Sequence, residues 1–323
     1  MNIRVIHHDA VSIKREANKI ATVFKSSGHN VVLEPQHRTS NRQFDFNLVI
    51  GNNERFILKR FGSMDNTLLY LTAEGITTYE KINVKAPIVT VSKHAKNLVE
   101  MSGYRVEDVV HHGFDLNWFN LSEANRPRLF GKRYMFMLHK IWTERSRTDL
   151  IIKAIQLFMD KYKPDVSFLD LGKPALVMSI KPTPYSASYM LYPYLPDEFV
   201  VGSYKASDSY IHLSTSEGFG LTLLEALGCG IPSIYVDAPP MNELVYKGYG
   251  YPVPYVKEDW LYIPRYPEFK FKEYYFDSVE ASEILYKAYE RKNQYVDKGY
   301  INNFDMFKLY PKLLEWCKQY VRA

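Results

Sequence analysis

The chain has 323 residues, 46% of them apolar and 24% charged, with a formal net charge of +5. That length suits two ordinary domains and the proportions are those of a globular protein; basic residues interleave with acids in no run of five or more, which argues against a nucleic-acid partner. Two cysteines, Cys229 and Cys317, exclude a disulfide framework, and neither has zinc-ligand spacing. No apolar run approaches the ~18 residues of a membrane span, and the N-terminus enters a strand pattern without a signal-peptide core, so the expectation is a cytoplasmic protein.

Ile3–Ile6 reads as a buried strand. Ser12–Ser26 reads as a helix with Ile13, Ala17, Ile20, Ala21 and Phe24 on one face; Gly28 stops it and Val31–Leu33 is the next strand. This βαβ pattern opens a doubly wound sheet. Phe46–Ile50, Thr67–Thr72 and Ile88–Val91 continue the strands, Ser92 caps a helix over Lys93–Met101 that Gly103 ends, and Val109–His111 is a sixth strand. Leu121–Arg133, polar and holding Pro127 and Gly131, reads as a linker. A second series follows: strand Tyr134–Leu138, helix Asp149–Met159, strands Val166–Leu169, Tyr189–Tyr192 and Tyr210–Leu213, a glycine-rich segment with a helix, and strand Ser233–Val236. Alternation twice over predicts two α/β domains, residues 1–120 and 133–303, with a linker at 121–132. Asn303–Val321 reads as one helix with Met306, Leu309, Leu313, Leu314, Cys317 and Tyr320 on a broad apolar face.

The segment after Tyr210–Leu213 concentrates the chemistry. Gly218 and Gly220 permit backbone conformations and close approaches that side chains block, and the helix over Leu221–Leu227 would present unpaired N–H groups and a partial positive charge to a phosphate. Glu217 sits in the loop before that helix, within reach of a group beyond the phosphates. Glu225, eight residues later, lies about a turn into the helix, where a carboxylate accepts from a vicinal diol such as ribose. Read only as Gly-x-Gly, the segment is more often a plain strand–helix turn than a site.

The longer string, Glu217-Gly-Phe-Gly-Leu-Thr-Leu-Leu-Glu225, resembles the E-x7-E motif of retaining glycosyltransferases of the GT-B fold, in the glycogen-synthase-like and mannosyltransferase family 4 group. Its flanks, Ser214, Ala226, Gly230 and Pro232, fit the same pattern, as does the downstream Asn242-Glu243-Leu244-Val245. Val91-Ser92-Lys-His94 through Gly103, Gly113-Phe114-Asp115 and Phe119 resemble the run that closes the family's first domain. Lys140 and Arg145 fall where the family places its diphosphate-binding Arg and Lys, with His139 in place of the usual glycine; Arg147 serves instead under a shifted alignment.

The resemblance implies two Rossmann-like domains facing across a cleft, with the C-terminal helix, residues 304–323, returning to the first. It implies a nucleoside-diphosphate sugar in the second domain and a hydroxyl acceptor (glycan, lipid or protein-linked sugar) on the first, a hexosyl transfer with retention, and no metal or other cofactor. Glu225 would hold ribose; Glu217 would hold the donor sugar; Gly218, Phe219, Gly220 and Leu221 would face the phosphates with Lys140 and Arg145. On the acceptor side stand His7, His8 and Asp9, directly after the first strand, and Glu74, after the strand Thr67–Thr72, where many relatives carry a histidine. The nine histidines form no helical metal-ligand pair with a third partner, so none is read as a metal ligand. Peripheral contact of the first domain with a membrane is a further implication. A GT-B epimerase and an inactive nucleotide-sugar-binding scaffold are the alternative readings.

Overall fold

The alternating apolar runs of the first third close into a parallel sheet in the computed structural model, which describes residues 1–121, 133–139, 144–172, 179, 181, 186–190, 195–246, 248–291 and 296–321. Its elements are β1 (Asn2–His7), α1 (Val11–Ser26), β2 (Asn30–Pro35), β3 (Phe46–Asn52), α2 (Arg55–Phe61), β4 (Thr67–Thr72), β5 (Gly75–Thr77), β6 (Ile88–Thr90), α3 (Lys93–Met101) and β7 (Asp108–Val109). Six strands run parallel in the order β2-β1-β3-β4-β6-β7. β4 is buried along its whole length, as a sheet covered on both faces requires. α1 buries the stripe that its spacing marks, from Ile13 to Phe24. The Ser92 hydroxyl caps α3 by accepting from the Ala95 N–H at 2.9 Å. Replacing Ser92 by alanine is therefore expected to cost about 1 kcal/mol, read as a lower urea midpoint for the transition of this unit.

The next elements are β8 (Tyr134–Leu138), α4 (Thr148–Tyr162), β9 (Val166–Asp170), β10 (Ser186–Met190), α5 (Asp197–Ala206), β11 (Ser209–His212), α6 (Leu221–Gly228), β12 (Ser233–Val236), α7 (Met241–Leu244) and β13 (Gly250–Val253). They build a second parallel sheet in the order β10-β9-β8-β11-β12-β13. This is the order of a Rossmann sheet, with the reversal between β8 and β11. The expected strand Tyr189–Tyr192 is displaced to Ser186–Met190, where it pairs with Val166–Asp170. The rest of the chain forms β14 (Tyr255–Tyr262), β15 (Phe269–Phe276), α8 (Ser278–Glu290), α9 (Lys298–Ile301), α10 (Met306–Leu309) and α11 (Pro311–Val321).

The chain clusters into two units. Met1–Asp115, Tyr262–Lys272 and Asn303–Ala323 form the first; Leu116–Leu261 and Glu273–Asn302 form the second. Residues Tyr262–Lys272 thus depart from the simple sequence division, which kept them in the second domain. The reason is strand pairing. Phe269, Lys270 and Phe271 lie antiparallel to Thr77, Ile76 and Gly75, and a Cβ on Gly75 would come within 2.3 Å of the Lys270 carbonyl oxygen, so only glycine allows this approach. The linker expected at 121–132 falls, beyond Leu121, outside the described residues.

Two further expectations are corrected. Asn303–Val321 is not one helix: the Asp305 side chain caps α10, and Pro311 opens α11. Proline lacks an N–H and its ring meets the carbonyl four residues back, so it starts a helix but does not continue one. The strand expected at Val109–His111 stops at Val109, because the residues after it enter a buried polar cluster of the first unit. There Glu16 receives hydrogen bonds from Lys19 at 2.6 Å and from the Tyr310 hydroxyl at 2.5 Å, with His112 Nδ1 at 3.5 Å. Tyr70 donates to the Val110 carbonyl at 2.7 Å and meets His112 Nδ1 at 3.2 Å, and the Gly113 N–H donates to the Tyr310 hydroxyl at 2.8 Å. No helix among the described residues is long and apolar enough to cross a membrane.

Candidate functional site

In an open parallel sheet, ligands bind beyond the carboxyl ends of the strands where the strand order reverses. In the second unit that place lies after β8 and β11. His139 follows β8, and the loop Leu213–Gly220 follows β11 and leads into α6. Within this loop Leu213–Ser216 and Gly218–Gly220 are buried and Glu217 is partly open. Gly220 precedes α6 with φ +98°, a left-handed conformation that suits glycine alone. Thr215 pins the loop from both sides: its hydroxyl donates to the Arg145 carbonyl at 2.8 Å, and its own carbonyl accepts from the Tyr274 N–H at 2.8 Å. The turn is therefore held in shape by its own unit, and α6 starts directly after it.

The two motif carboxylates sit in different polar settings. The Tyr204 hydroxyl lies 3.4 Å from Glu225 Oε2 and 3.1 Å from His139 Nδ1, and His139 Nδ1 lies 4.0 Å from the same carboxylate oxygen. Tyr204 is fully buried, and burial, reinforced by Tyr210 and Glu225, pushes its phenol well above the ordinary range, so it keeps its proton as a donor. Glu217 Oε1 faces His212 Nε2 at 3.9 Å. Tyr210 joins the two settings: its hydroxyl is 2.8 Å from Thr222 Oγ1, 3.2 Å from the His139 carbonyl and 3.3 Å from His212 Nδ1. Close to the Thr215 hydroxyl, at 3.4 Å, lies the buried Glu273, whose carboxyl burial pushes up.

The other sequence-derived residues divide by unit. In the second, Arg145 adjoins the loop through its carbonyl, and Phe219 is 2% exposed, so it offers a ligand its backbone and not its ring. Arg147, at φ +43°, is paired with Asp149 at 2.7 Å and lies over the Tyr275 ring. That pairing turns it toward α4, and its guanidinium is held above its ordinary value first by the hydrogen bond to Asp149. Lys140 lies outside the described residues. In the first unit, the Ala10 N–H donates to His8 Nδ1 at 3.0 Å, and the other ring nitrogen lies 4.0 Å from Glu54. His7 Nδ1 bonds the His8 carbonyl at 2.9 Å, and Asp9 pairs with His37 at 2.7 Å. Glu74, between β4 and β5, is partly buried, and its carbonyl accepts from the Lys272 N–H.

Tyr204, Tyr210 and His212 escaped the sequence reading. A signal was present: Tyr210 and His212 stand two residues apart on a buried strand and so share a face, an unusual polar pair in an otherwise apolar run. Among the described residues, no group of three His, Cys, Asp or Glu side chains is arranged to hold a metal ion.

Residues 125–259 match the family described as glycosyl transferases group 1. Along the whole chain, the sequence is 22% identical over 340 aligned positions to a protein named uncharacterized glycosyltransferase 335 of Sulfolobus islandicus rod-shaped virus 1, covering 97% of each. A crystal structure of a glycosyltransferase from Rickettsia africae superposes with a TM-score of 0.70 at 15% identity, covering 100% of this chain and 99% of that one. HepE of Anabaena, crystallised with UDP and glucose, gives 0.68 at 14% identity over 99% of this chain and 100% of its own. The fold is that of GT-B glycosyltransferases, and with a group 1 region over residues 125–259 the chain is a glycosyltransferase.

Proposed function

We propose that the chain moves a hexosyl unit from a nucleoside-diphosphate sugar to a hydroxyl acceptor, with retained anomeric configuration and without a divalent metal. The observation that carries this is the placement of Glu217 and Glu225 on either side of the α6 N-terminus at the reversal point of the second sheet. The diphosphate docks on the N–H groups at Gly218–Leu221, with Arg145 and Lys140 as cations. Glu225 accepts from the two ribose hydroxyls and Glu217 from hydroxyls of the donor sugar. As the sugar C1–O bond to phosphate breaks, charge grows on the diphosphate, and the preorganised N–H groups and cations stabilise it where a metal otherwise would. The acceptor oxygen bonds C1 from the same face, and its proton passes to the departing phosphate oxygen. His7, His8, Asp9 and Glu74 of the first unit are the acceptor-side groups, Glu74 binding the acceptor while the leaving phosphate serves as base, and a cytoplasmic site of action, with peripheral membrane contact, completes the reading.

Uridine diphosphate is the first nucleotide to test, because the HepE structure holds UDP and glucose. A thermal-shift panel of UDP, GDP and ADP and their hexose conjugates identifies the donor; a ligand at a hundredfold excess over its Kd stabilises by about 2.7 kcal/mol. The selected donor is then turned over with EDTA present, and the product anomer is read by NMR. Retention and an unchanged rate in EDTA are expected. Absence of any stabilisation by a nucleotide sugar sinks the proposal, inversion refutes retention, and loss of the rate in EDTA refutes metal independence.

A further inference from the structure

His212 carries a second role for the β11 strand end. It is 2% exposed, too deep to serve as a surface group, and its ring stands between two hydroxyls and a carboxylate. Nδ1 lies 3.3 Å from the Tyr210 hydroxyl and 3.5 Å from Thr222 Oγ1, while Nε2 looks toward Glu217 Oε1 at 3.9 Å. A neutral imidazole has one donor and one acceptor nitrogen. The Tyr210 hydroxyl donates to Thr222 Oγ1 or to the His139 carbonyl, which leaves the Thr222 hydroxyl to donate to Nδ1, whereas a carboxylate can only accept. The arrangement is satisfied when Nδ1 accepts and Nε2 carries the proton; the opposite tautomer sets a lone pair against the Glu217 carboxylate.

We infer that His212 is a positioning residue which holds the Glu217 carboxylate, through its Nε2–H, in the orientation that receives the donor sugar. The inference rests on the proposed role of Glu217. Thr222, its oxygen occupied by the Tyr210 hydroxyl and its own proton free for Nδ1, selects the tautomer, and it stands in the first turn of α6, so the same frame ties the carboxylate to the helix end. The 3.9 Å separation closes to a hydrogen bond when the sugar hydroxyls draw Glu217 inward, as polar contacts of unliganded sites commonly tighten on binding.

Two substitutions of similar polarity separate positioning from packing. The amide nitrogen of glutamine falls near the place of Nε2, and that of asparagine near the place of Nδ1. His212→Gln is expected to keep kcat/KM within roughly threefold of the wild type, while His212→Asn loses roughly 10- to 100-fold, the scale of a hydrogen bond to a charged group. Affinity for UDP alone, by calorimetry, is expected to stay unchanged in both variants, since Glu217 meets only the sugar. In the Glu217→Gln background, His212→Asn is expected to add no more than about twofold, as coupled residues do. Equal losses in the two His212 variants, a fall in UDP affinity, or multiplicative losses with Glu217→Gln overturn the inference while leaving the proposed function standing. A Glu217→Gln variant with wild-type sugar affinity removes the role of Glu217 itself, and the inference falls with it.

Discussion

Replacing Glu225 by alanine is expected to lower kcat/KM for the nucleotide sugar by roughly 100- to 1000-fold. Each hydrogen bond from a ribose hydroxyl to an ionised carboxylate contributes about 1.5–3 kcal/mol, and two of them, allowing for incomplete additivity, amount to about 3–4 kcal/mol. The loss should appear as binding, because ribose is held alike in the ground and transition states, so KM rises more than kcat falls. Glu225→Gln is expected to be milder: it keeps one acceptor oxygen and the contact with the Tyr204 hydroxyl, which now lies 3.4 Å from Oε2. The diagnostic comparison is between UDP and its 2′-deoxy form. Wild type should prefer the ribonucleotide, and Glu225→Ala should bind both equally weakly. A variant that still distinguishes them by calorimetry shows that another group reads the ribose.

The architecture was largely legible because hydrophobic periodicity is a local signal. The strands Thr67–Thr72 and Tyr134–Leu138 and the helix Lys93–Met101 with its Ser92 cap lie where the pattern puts them. The hairpin strands β14 and β15 were not legible. β14 is exposed or half-exposed throughout, so no buried face imposes a period of two, and β15 is placed by pairing with Gly75–Thr77, far away in the chain. The candidate site was legible only in part. Glu217 and Glu225 announce themselves by spacing around two glycines, whereas Tyr204 and His139 meet Glu225 only because β8, α5 and α6 converge at one strand end. Arg147 shows the opposite case: its spacing suited a phosphate, but Asp149, two residues on, engages one edge of its guanidinium through Nε and one terminal nitrogen.

The largest effect on stability is expected from Glu16, which is 1% exposed and whose carboxylate holds Lys19, Tyr310 and His112 together. Burial pushes this carboxyl up, but Lys19, His112 and Tyr310 outweigh burial and hold it below its ordinary value. Glu16→Ala leaves the Lys19 ammonium with only the Gly113 carbonyl and deprives two buried polar groups of the carboxylate, a loss of about 3–5 kcal/mol. It should release α10 and α11, detected as early proteolysis of the C-terminal segment, because the Tyr310 hydroxyl both donates to Glu16 and accepts from the Gly113 N–H. Acid acts on the same unit. Burial lowers His112 from 6.5 to about 4, Glu16 drawing against the shift, and burial with the Lys272 charge lowers His94 to about 4. Both rings bind protons in the unfolded chain below pH 6.5 but not in the fold until about pH 4, so their stabilisation is complete above 6.5 and is lost as pH falls through that window. The depressed Glu16 carboxyl extends the loss to lower pH. Thermal midpoints taken at pH 7.5, 6 and 5 should therefore fall in that order, and a midpoint independent of pH over this range would show that these histidines take up protons inside the fold. His112→Gln, which keeps hydrogen-bonding groups near Glu16 and Tyr70 but cannot titrate, should flatten the decline, whereas Glu16→Ala should lower all three midpoints together.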